Sequence, residues 1–296
     1  MRNLDEDNIT QAVLARHAGM QDERLREIMT SLIQHLHSFA REVKLTEAEW
    51  FAGIQFLTET GQMCTDKRQE FILLSDTLGL SMLVTALNNR KPPGCTESTV
   101  FGPFHVEGSP DYALGDNVAE GVKGEPCFVR GTVRDIHGKP VPNASMEVWQ
   151  ADADGFYDVQ YEHLEAHQGR GRLHSGPDGE FHFRTVRAEA YPIPYDGTVG
   201  RMLKALARHP WRPAHLHFMI KAGGYETLIT HVFRDNDQYL DSDAVFGVRS
   251  SLLADWVRHE AGVAPDGSQL DVSFYTLDFD FVLNPVSGSS TTTKAA

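Results

Sequence analysis

At 296 residues the chain is long enough for one large domain or two modest ones, each with its own core. Its 41 acidic against 27 basic residues give a formal charge of −14, which argues against nucleic acid or an anionic membrane as partner and leaves a neutral or weakly acidic small molecule. Three widely spaced cysteines, Cys64, Cys95 and Cys127, make neither a disulfide framework nor a C-x-x-C zinc site and favour a reducing, cytoplasmic setting. The first residues lack the basic and apolar regions of a signal peptide, and no apolar run reaches the ~18 residues of a membrane span.

Residues 8–90 read as helical. Leu25, Ile28, Met29, Leu32, Ile33 and Leu36 recur at three- and four-residue steps and so share one stripe of a long helix. Thr46 with Glu49 predicts a capping box at the start of the next helix, and Leu45 with Trp50 occupies the staple positions around it. Phe71–Leu74 and Leu80–Leu87 suggest two shorter helices. Such stripes pack a helical subdomain on the rest of the chain, and one of them is available for self-association.

Lys91-Pro92-Pro93-Gly94-Cys95 ends any helix. Beyond it, 128–133, 145–149, 180–186, 214–220, 227–233 and 272–283 carry β-branched and aromatic residues between Gly, Pro, Asn and Asp clusters. Many short strands of this kind predict an antiparallel sandwich or barrel. The expectation is therefore an α+β protein, with a helical N-terminal part over 1–97 and a β-sandwich over 98–296. Gly169-Arg170-Gly171-Arg172-Leu173 lacks the Lys-Ser/Thr of a phosphate loop and reads as a flexible loop. The Ser/Thr-rich tail from Ser287 to Ala296 is expected to be disordered.

The stretch Trp211-Arg212-Pro213-Ala214-His215-Leu216-His217-Phe218 carries the chemistry. On a strand, His215 and His217 point the same way, about 6–7 Å apart, and two imidazoles leaning inward can share a metal. Two tyrosines in turn-like settings precede them, Tyr157 after Gly155-Phe156 and Tyr191 in Tyr191-Pro192-Ile193-Pro194-Tyr195, where Tyr195 is an equal alternative on residue type alone. Phenol ionises near pH 10, so a tyrosine ligates only when a strongly acidic cation displaces its proton. Hard anionic oxygens then favour Fe(III) over zinc or Fe(II). Two phenolates and one hydroxide neutralise that charge, and a catechol dianion can replace the hydroxide and one phenolate without changing the total. Arg212, always charged, is placed to stabilise developing negative charge. His231, Tyr161 and His174 are spares whose default is a surface or satisfied polar role.

The ordered motifs Trp149-Gln150-Ala151-Asp152-Ala153-Asp154-Gly155-Phe156-Tyr157, Tyr191-Pro192-Ile193-Pro194 and Trp211 to Phe218 resemble the intradiol ring-cleaving dioxygenases over roughly residues 20 to 285. The resemblance implies non-haem Fe(III) held by Tyr157, Tyr191, His215 and His217, with Tyr191 rather than Tyr195 as the phenolate that leaves on substrate binding. It implies insertion of O2 between two adjacent hydroxylated ring carbons, Arg212 and Tyr191 as catalytic groups, a helical N-terminal domain forming a homodimer, and phospholipid in that helical region. Ser98 to Gly108 and His231 to Leu240 are similar to the hydroxyquinol 1,2-dioxygenase branch, in which 3-hydroxymuconate and maleylacetate are the products. Catechol enzymes usually carry glutamine where this chain has His231. The same likeness places Leu73, Asp76, Val100, Phe101, Gly102, Pro103, Phe104, Ile193, Pro194 and Val245 around the substrate, with Asp76 an acceptor for a third hydroxyl. Rival readings are a catechol or chlorocatechol 1,2-dioxygenase, a zinc hydrolase using His215, His217 and Glu226, and a non-catalytic β-sandwich binding module.

Overall fold

The computed structural model describes residues 3–161, 164 and 167–286; the tail expected to be disordered lies outside the described residues. Its helices are α1 (Ile9–Ala15), α2 (Glu23–Glu42), α3 (Glu47–Gln62), α4 (Glu70–Thr77), α5 (Leu80–Asn88) and α6 (Thr198–Ala205). The strands are β1 (Pro126–Asp135), β2 (Ser145–Trp149), β3 (Arg170–His174), β4 (Glu180–Val186), β5 (Tyr191–Pro192), β6 (Trp211–Arg212), β7 (His215–Lys221), β8 (Leu228–Arg234), β9 (Leu253–Ala254), β10 (Trp256–His259), β11 (Gly262–Val263), β12 (Gln269–Leu270), β13 (Phe274–Asp278) and β14 (Phe281–Leu283). Among the described residues, no single helix is long and apolar enough to cross a membrane.

Two compact units emerge, Met1–Glu59 and Thr60–Ala296, with the boundary inside α3. The reason is packing: α4 lies against α5 and against α6, and Val199 and Thr198 at the start of α6 donate to the buried Glu70 carboxylate. In the first unit, Asp22 caps α2 by accepting from Leu25 N. The capping box is present, since Thr46 N donates to Glu49 Oε2 and Glu49 N donates to Thr46 Oγ1. The stripe on α2 buries no residue, and Leu25, Ile28, Leu32 and Leu36 are exposed.

In the second unit one sheet runs β3-β2-β7-β8-β9, and the other runs β10-β13-β1-β14 with β4 also on β1. Their inner faces share one core that includes Val129, Phe181, Phe183 and Leu277 from one sheet and Met146, Val148, Leu216 and Phe218 from the other. The pairs β2–β7, β7–β8, β1–β4 and β10–β13 are antiparallel as expected, whereas β13 and β14 run parallel to β1, and β9 runs parallel to β8. The run expected as one strand over 272–283 is two, because it changes position along the ten-residue β1. At the crossing point a Cβ on Gly131 would stand 1.8 Å from the Phe279 carbonyl oxygen, so only glycine admits the chain there. Phe279 N donates to Arg130 O, and Thr132 N donates to the Asp280 carboxylate, which closes the break.

The stretch expected as a flexible loop at 169–173 is instead strand β3 beside β2, and its basic residues explain the error. Arg170 is buried with Asp158, its Nε donating to Asp158 Oδ2 at 2.7 Å and its Nη1 donating to Phe104 O at 3.0 Å. Burial pushes the Asp158 carboxyl up, but the hydrogen bonds and charge of Arg170 outweigh it and hold the group below its ordinary value. The pair therefore contributes stability above the unfolded carboxylate pKa, and that contribution is lost as pH falls through the lower folded value. Replacing Asp158 with Asn strands a buried guanidinium, and urea unfolding at pH 7 should register a loss of about 3–5 kcal/mol. The difference from wild type should shrink as the pH is lowered toward 3; a constant difference would contradict the role of the ion pair.

Candidate metal centre

Strand β7 places the site. Ala214, Leu216, Phe218 and Ile220 turn into the sandwich core, so His215 and His217 are forced onto the opposite face. Register on either side sets their neighbours, because His217 pairs with Trp149 on β2 and with His231 on β8. Trp149 stacks on the His217 ring at 4.6 Å between centroids. Gly102, at φ +78°, lets the chain lie close to that ring, since a Cβ there would stand 3.4 Å from it.

The two expected tyrosines meet the two histidines. The Tyr157 hydroxyl lies 2.8 Å from His217 Nε2 and 3.1 Å from the Tyr191 hydroxyl, while His215 Nε2 is 3.1 Å from His217 Nε2. All four are at most 3% exposed, whereas Tyr195 is 59% exposed, which separates the two candidates that residue type left equal. Tyr157 is fixed by its own backbone: its N–H donates to Gln160 Oε1, and Phe104 stacks on its ring at 4.3 Å. Tyr191 sits on β5 opposite Arg212 on β6. Gly155, at φ +85°, gives its ring room, because a Cβ there would stand 2.8 Å from Tyr191 Cβ.

Burial, together with neighbouring positive charge, holds all three imidazoles, His215, His217 and His231, far below their ordinary value, so they are neutral donors. His215 donates from Nδ1 to Pro213 O at 2.7 Å, which leaves its Nε2 lone pair toward the centre. Burial raises both phenols, and at Tyr191 the charge and hydrogen bond of Arg212 oppose it. Two neutral imidazoles and two phenols that release protons only to a strongly acidic cation can offer four donors to one metal ion. Arg212 is itself held: Nε donates to Asp243 Oδ1 at 3.1 Å and Nη1 donates to His215 Nε2 at 3.2 Å.

The expected pocket residues are not all in one place. Leu73, Val100, Ile193 and Val245 share a buried apolar cluster. Leu73, Pro103, Phe104, Ile193 and Pro194 line a cleft of about 760 Å³ that also includes Gly155, Phe156 and Pro192, the neighbours of the two tyrosines. Phe101 is half exposed and packs on His105 and Trp149. Asp76 is 4% exposed; burial pushes its carboxyl up, against a hydrogen bond from Ser81 and the charge of Arg212.

Three participants were not legible as such. His231, given a surface or satisfied polar default, is fully buried beside both histidines of β7, with Nε2 unpartnered. Asp243 and Trp149 join only through strand register and the Arg212 pairing, although the Trp149 motif did mark its segment. Tyr161 donates to Asp152 and His174 is exposed, so neither spare enters the centre. Glu226 accepts from Asn284, and among the described residues the metal-capable cluster is three histidines without a carboxylate, which removes the hydrolase ligand set.

Residues 101–285 match the family described as Dioxygenase, and residues 22–96 match Catechol dioxygenase N terminus. The chain belongs to the intradiol dioxygenases. It is 66% identical to 6-chlorohydroxyquinol 1,2-dioxygenase of Cupriavidus pinatubonensis over 96% of this chain and 99% of the relative. It is 50% identical to hydroxyquinol 1,2-dioxygenase of Nocardioides simplex over 95% and 96% of the two chains. The crystal structure of hydroxyquinol 1,2-dioxygenase from Pseudomonas putida superposes with a TM-score of 0.88 at 47% identity, covering 95% of this chain and 99% of that one. The structure of a point mutant of catechol 1,2-dioxygenase from Acinetobacter radioresistens gives 0.86 at 25% identity, over 100% and 98%. As an intradiol dioxygenase the protein is an enzyme, which sets aside the binding-module reading.

Replacing Gly155 with Ala tests the seat of Tyr191. The left-handed backbone and the tight Tyr191 contact should cost about 1–3 kcal/mol in thermal unfolding. The variant should also bind ferric ion more weakly, and an unchanged affinity would show that Tyr191 does not depend on this close approach.

Proposed function

We propose that this intradiol dioxygenase uses non-haem Fe(III) held by Tyr157, Tyr191, His215 and His217, and that its preferred substrate is hydroxyquinol, 1,2,4-trihydroxybenzene, including ring-substituted forms. The observation that carries the reading is the buried meeting of two phenol oxygens and two Nε2 atoms at 2.8–3.1 Å. When bound, ferric ion supplies the Lewis acidity that favours the diol as its anion and activates the ring toward O2. The protein's own groups do the rest. The Tyr191 oxygen accepts a proton from a substrate hydroxyl, which turns a buried anion into a neutral phenol. Arg212, pinned by Asp243, keeps its guanidinium against the negative charge that develops on the ring oxygens. Leu73, Val100, Ile193 and Val245 form an apolar wall that keeps water from the reacting ring. Asp76 offers the acceptor for the third hydroxyl, and a buried acceptor left without a partner disfavours plain catechol. The product is then 3-hydroxymuconate, or maleylacetate as its keto tautomer. The names of the relatives at 66% and 50% identity support the substrate.

The exposed stripe of α2 supports a homodimer through the helical region, with phospholipid as a companion of that surface. The functional division at 97/98 is part of the same reading, modified by Leu73 of α4, which lines the cleft. Light scattering of the purified protein should give twice the chain mass, and lipid extraction should release phospholipid.

The decisive measurement is the visible spectrum. The ferric protein should be red-brown from tyrosinate charge transfer, shift when hydroxyquinol is added without air, and recover when O2 enters; a colourless ferric protein would end the reading. Catechol should turn over more slowly than hydroxyquinol. Replacing Asp76 with Ala should narrow the hydroxyquinol-to-catechol ratio of kcat/KM about tenfold to a hundredfold. Arg212→Lys keeps a positive charge beside Asp243 but loses the planar fork, so kcat should fall about a hundredfold while iron content and colour persist.

A further inference from the structure

His105 and Glu147 form a mostly buried pair that the iron reading leaves without a role. Their side chains are 9% and 13% exposed, and His105 Nε2 lies 2.8 Å from Glu147 Oε2. A carboxylate only accepts, so the histidine donates from Nε2. Strand alternation decides what the pair lies beside. Met146 and Val148 turn into the sandwich core, so Glu147 and Trp149 share the opposite face of β2, where Trp149 stacks on His217. The His105 ring meets the Trp149 indole edge-on at 5.0 Å between centroids, and Phe101 packs on both.

Segment 101–105 reaches the metal centre twice, since Gly102 lies against the His217 ring and Phe104 stacks on Tyr157. The segment belongs to no helix or strand, so side chains have to anchor it. Arg170 donates to Phe104 O at 3.0 Å, and one residue later Glu147 accepts from His105. We infer that Glu147 and His105 are positioning residues for the metal centre: their hydrogen bond clamps segment 101–105 onto β2 and so sets Phe104 against Tyr157 and Trp149 against His217. The pair acts through the two rings it holds. Pro103 and Phe104 also line the cleft, so the same clamp fixes one wall of the space that receives the substrate. The inference rests on the iron reading for what those rings position, whereas the clamp itself holds with or without a metal.

The test compares Glu147→Leu, His105→Phe, their double variant and Glu147→Gln in the full-length protein. In the metal-free form, amide hydrogen exchange over 101–106 should be about tenfold faster in E147L and in H105F than in wild type, because the segment loses an anchor to a charged group. In the ferric form, kcat/KM for hydroxyquinol per bound iron should fall about tenfold, with a shift of the charge-transfer band. The double variant should lose no more than either single one, since all three lack the same bond. E147Q keeps an acceptor for His105 and should recover most of both effects. A merely structural role would lower Tm and leave the spectrum and the per-iron kinetics as in wild type. That result, wild-type exchange in both single variants, or losses that multiply in the double variant would each overturn the clamp. Absence of ferric colour in the wild type would instead strike the iron reading, and the exchange rates would still decide the clamp.

Discussion

The constraint on which everything else depends is the two-residue alternation of β7. Leu216, Phe218 and Ile220 have to face inward because the sandwich core closes on them, with Phe181 and Phe183 from the opposite sheet against Phe218. That requirement alone turns His215 and His217 to the other face and fixes their separation. A slip of one residue would turn the imidazoles into the aliphatic core and Phe218 onto the polar face of the centre, so the register is protected by hydrophobic packing rather than by any metal. The site is preorganised by the fold, and strands β2 and β8 on either side supply Trp149 and His231 as walls.

A second constraint is electrostatic. The centre places two arginines out of water, and each is paired with one carboxylate that makes further hydrogen bonds: Arg212 with Asp243, and Arg170 with Asp158. Asp243 also accepts from Val245 N and Gly247 N, and Asp158 from Gln168 N. Replacing a whole buried pair of this kind by apolar residues is often neutral, but removing one partner is costly. Their use here is positional. Arg170 reaches both Asp158, next to Tyr157, and the carbonyl of Phe104, whose ring stacks on Tyr157. Arg212 ties the β5–β6 pair to His215 and to the loop that carries Val245.

How much of this was legible follows from the same physics. Strands with apolar alternation, such as β2, β4, β7 and β8, declare themselves, and the capping box at Thr46 is a local pattern that needs no tertiary context. Strand β3 does not, because its burial rests on an ion pair and on Gly171, where a Cβ would meet the Tyr112 ring at 2.6 Å. Helix α6 escaped because its start is anchored by Glu70, more than a hundred residues away in sequence. His231 reads as a spare because nothing in Thr230-His231-Val232 says what lies opposite; only the pairing with His217 does. Asp76 shows the reverse: helix position suggests a surface aspartate, and burial comes from packing that sequence spacing does not encode.

Tyr157 and Tyr191 are chemically alike but differently supported. Tyr157 is gripped on several sides: Gln160 holds its N–H, Phe104 stacks on its ring, and Asp158 beside it is locked to Arg170. Tyr191 stands on a two-residue strand, packed edge-on against Tyr157 and seated over the space that Gly155 leaves open. A group that must take up a proton and yield its place to an incoming ring oxygen needs freedom to shift by an ångström or so. The partner that stays needs none. Arg212, opposite Tyr191 in the β5–β6 pair, keeps positive charge beside the Tyr191 oxygen. The asymmetry supports Tyr191 as the departing phenol on grounds that belong to this chain's packing.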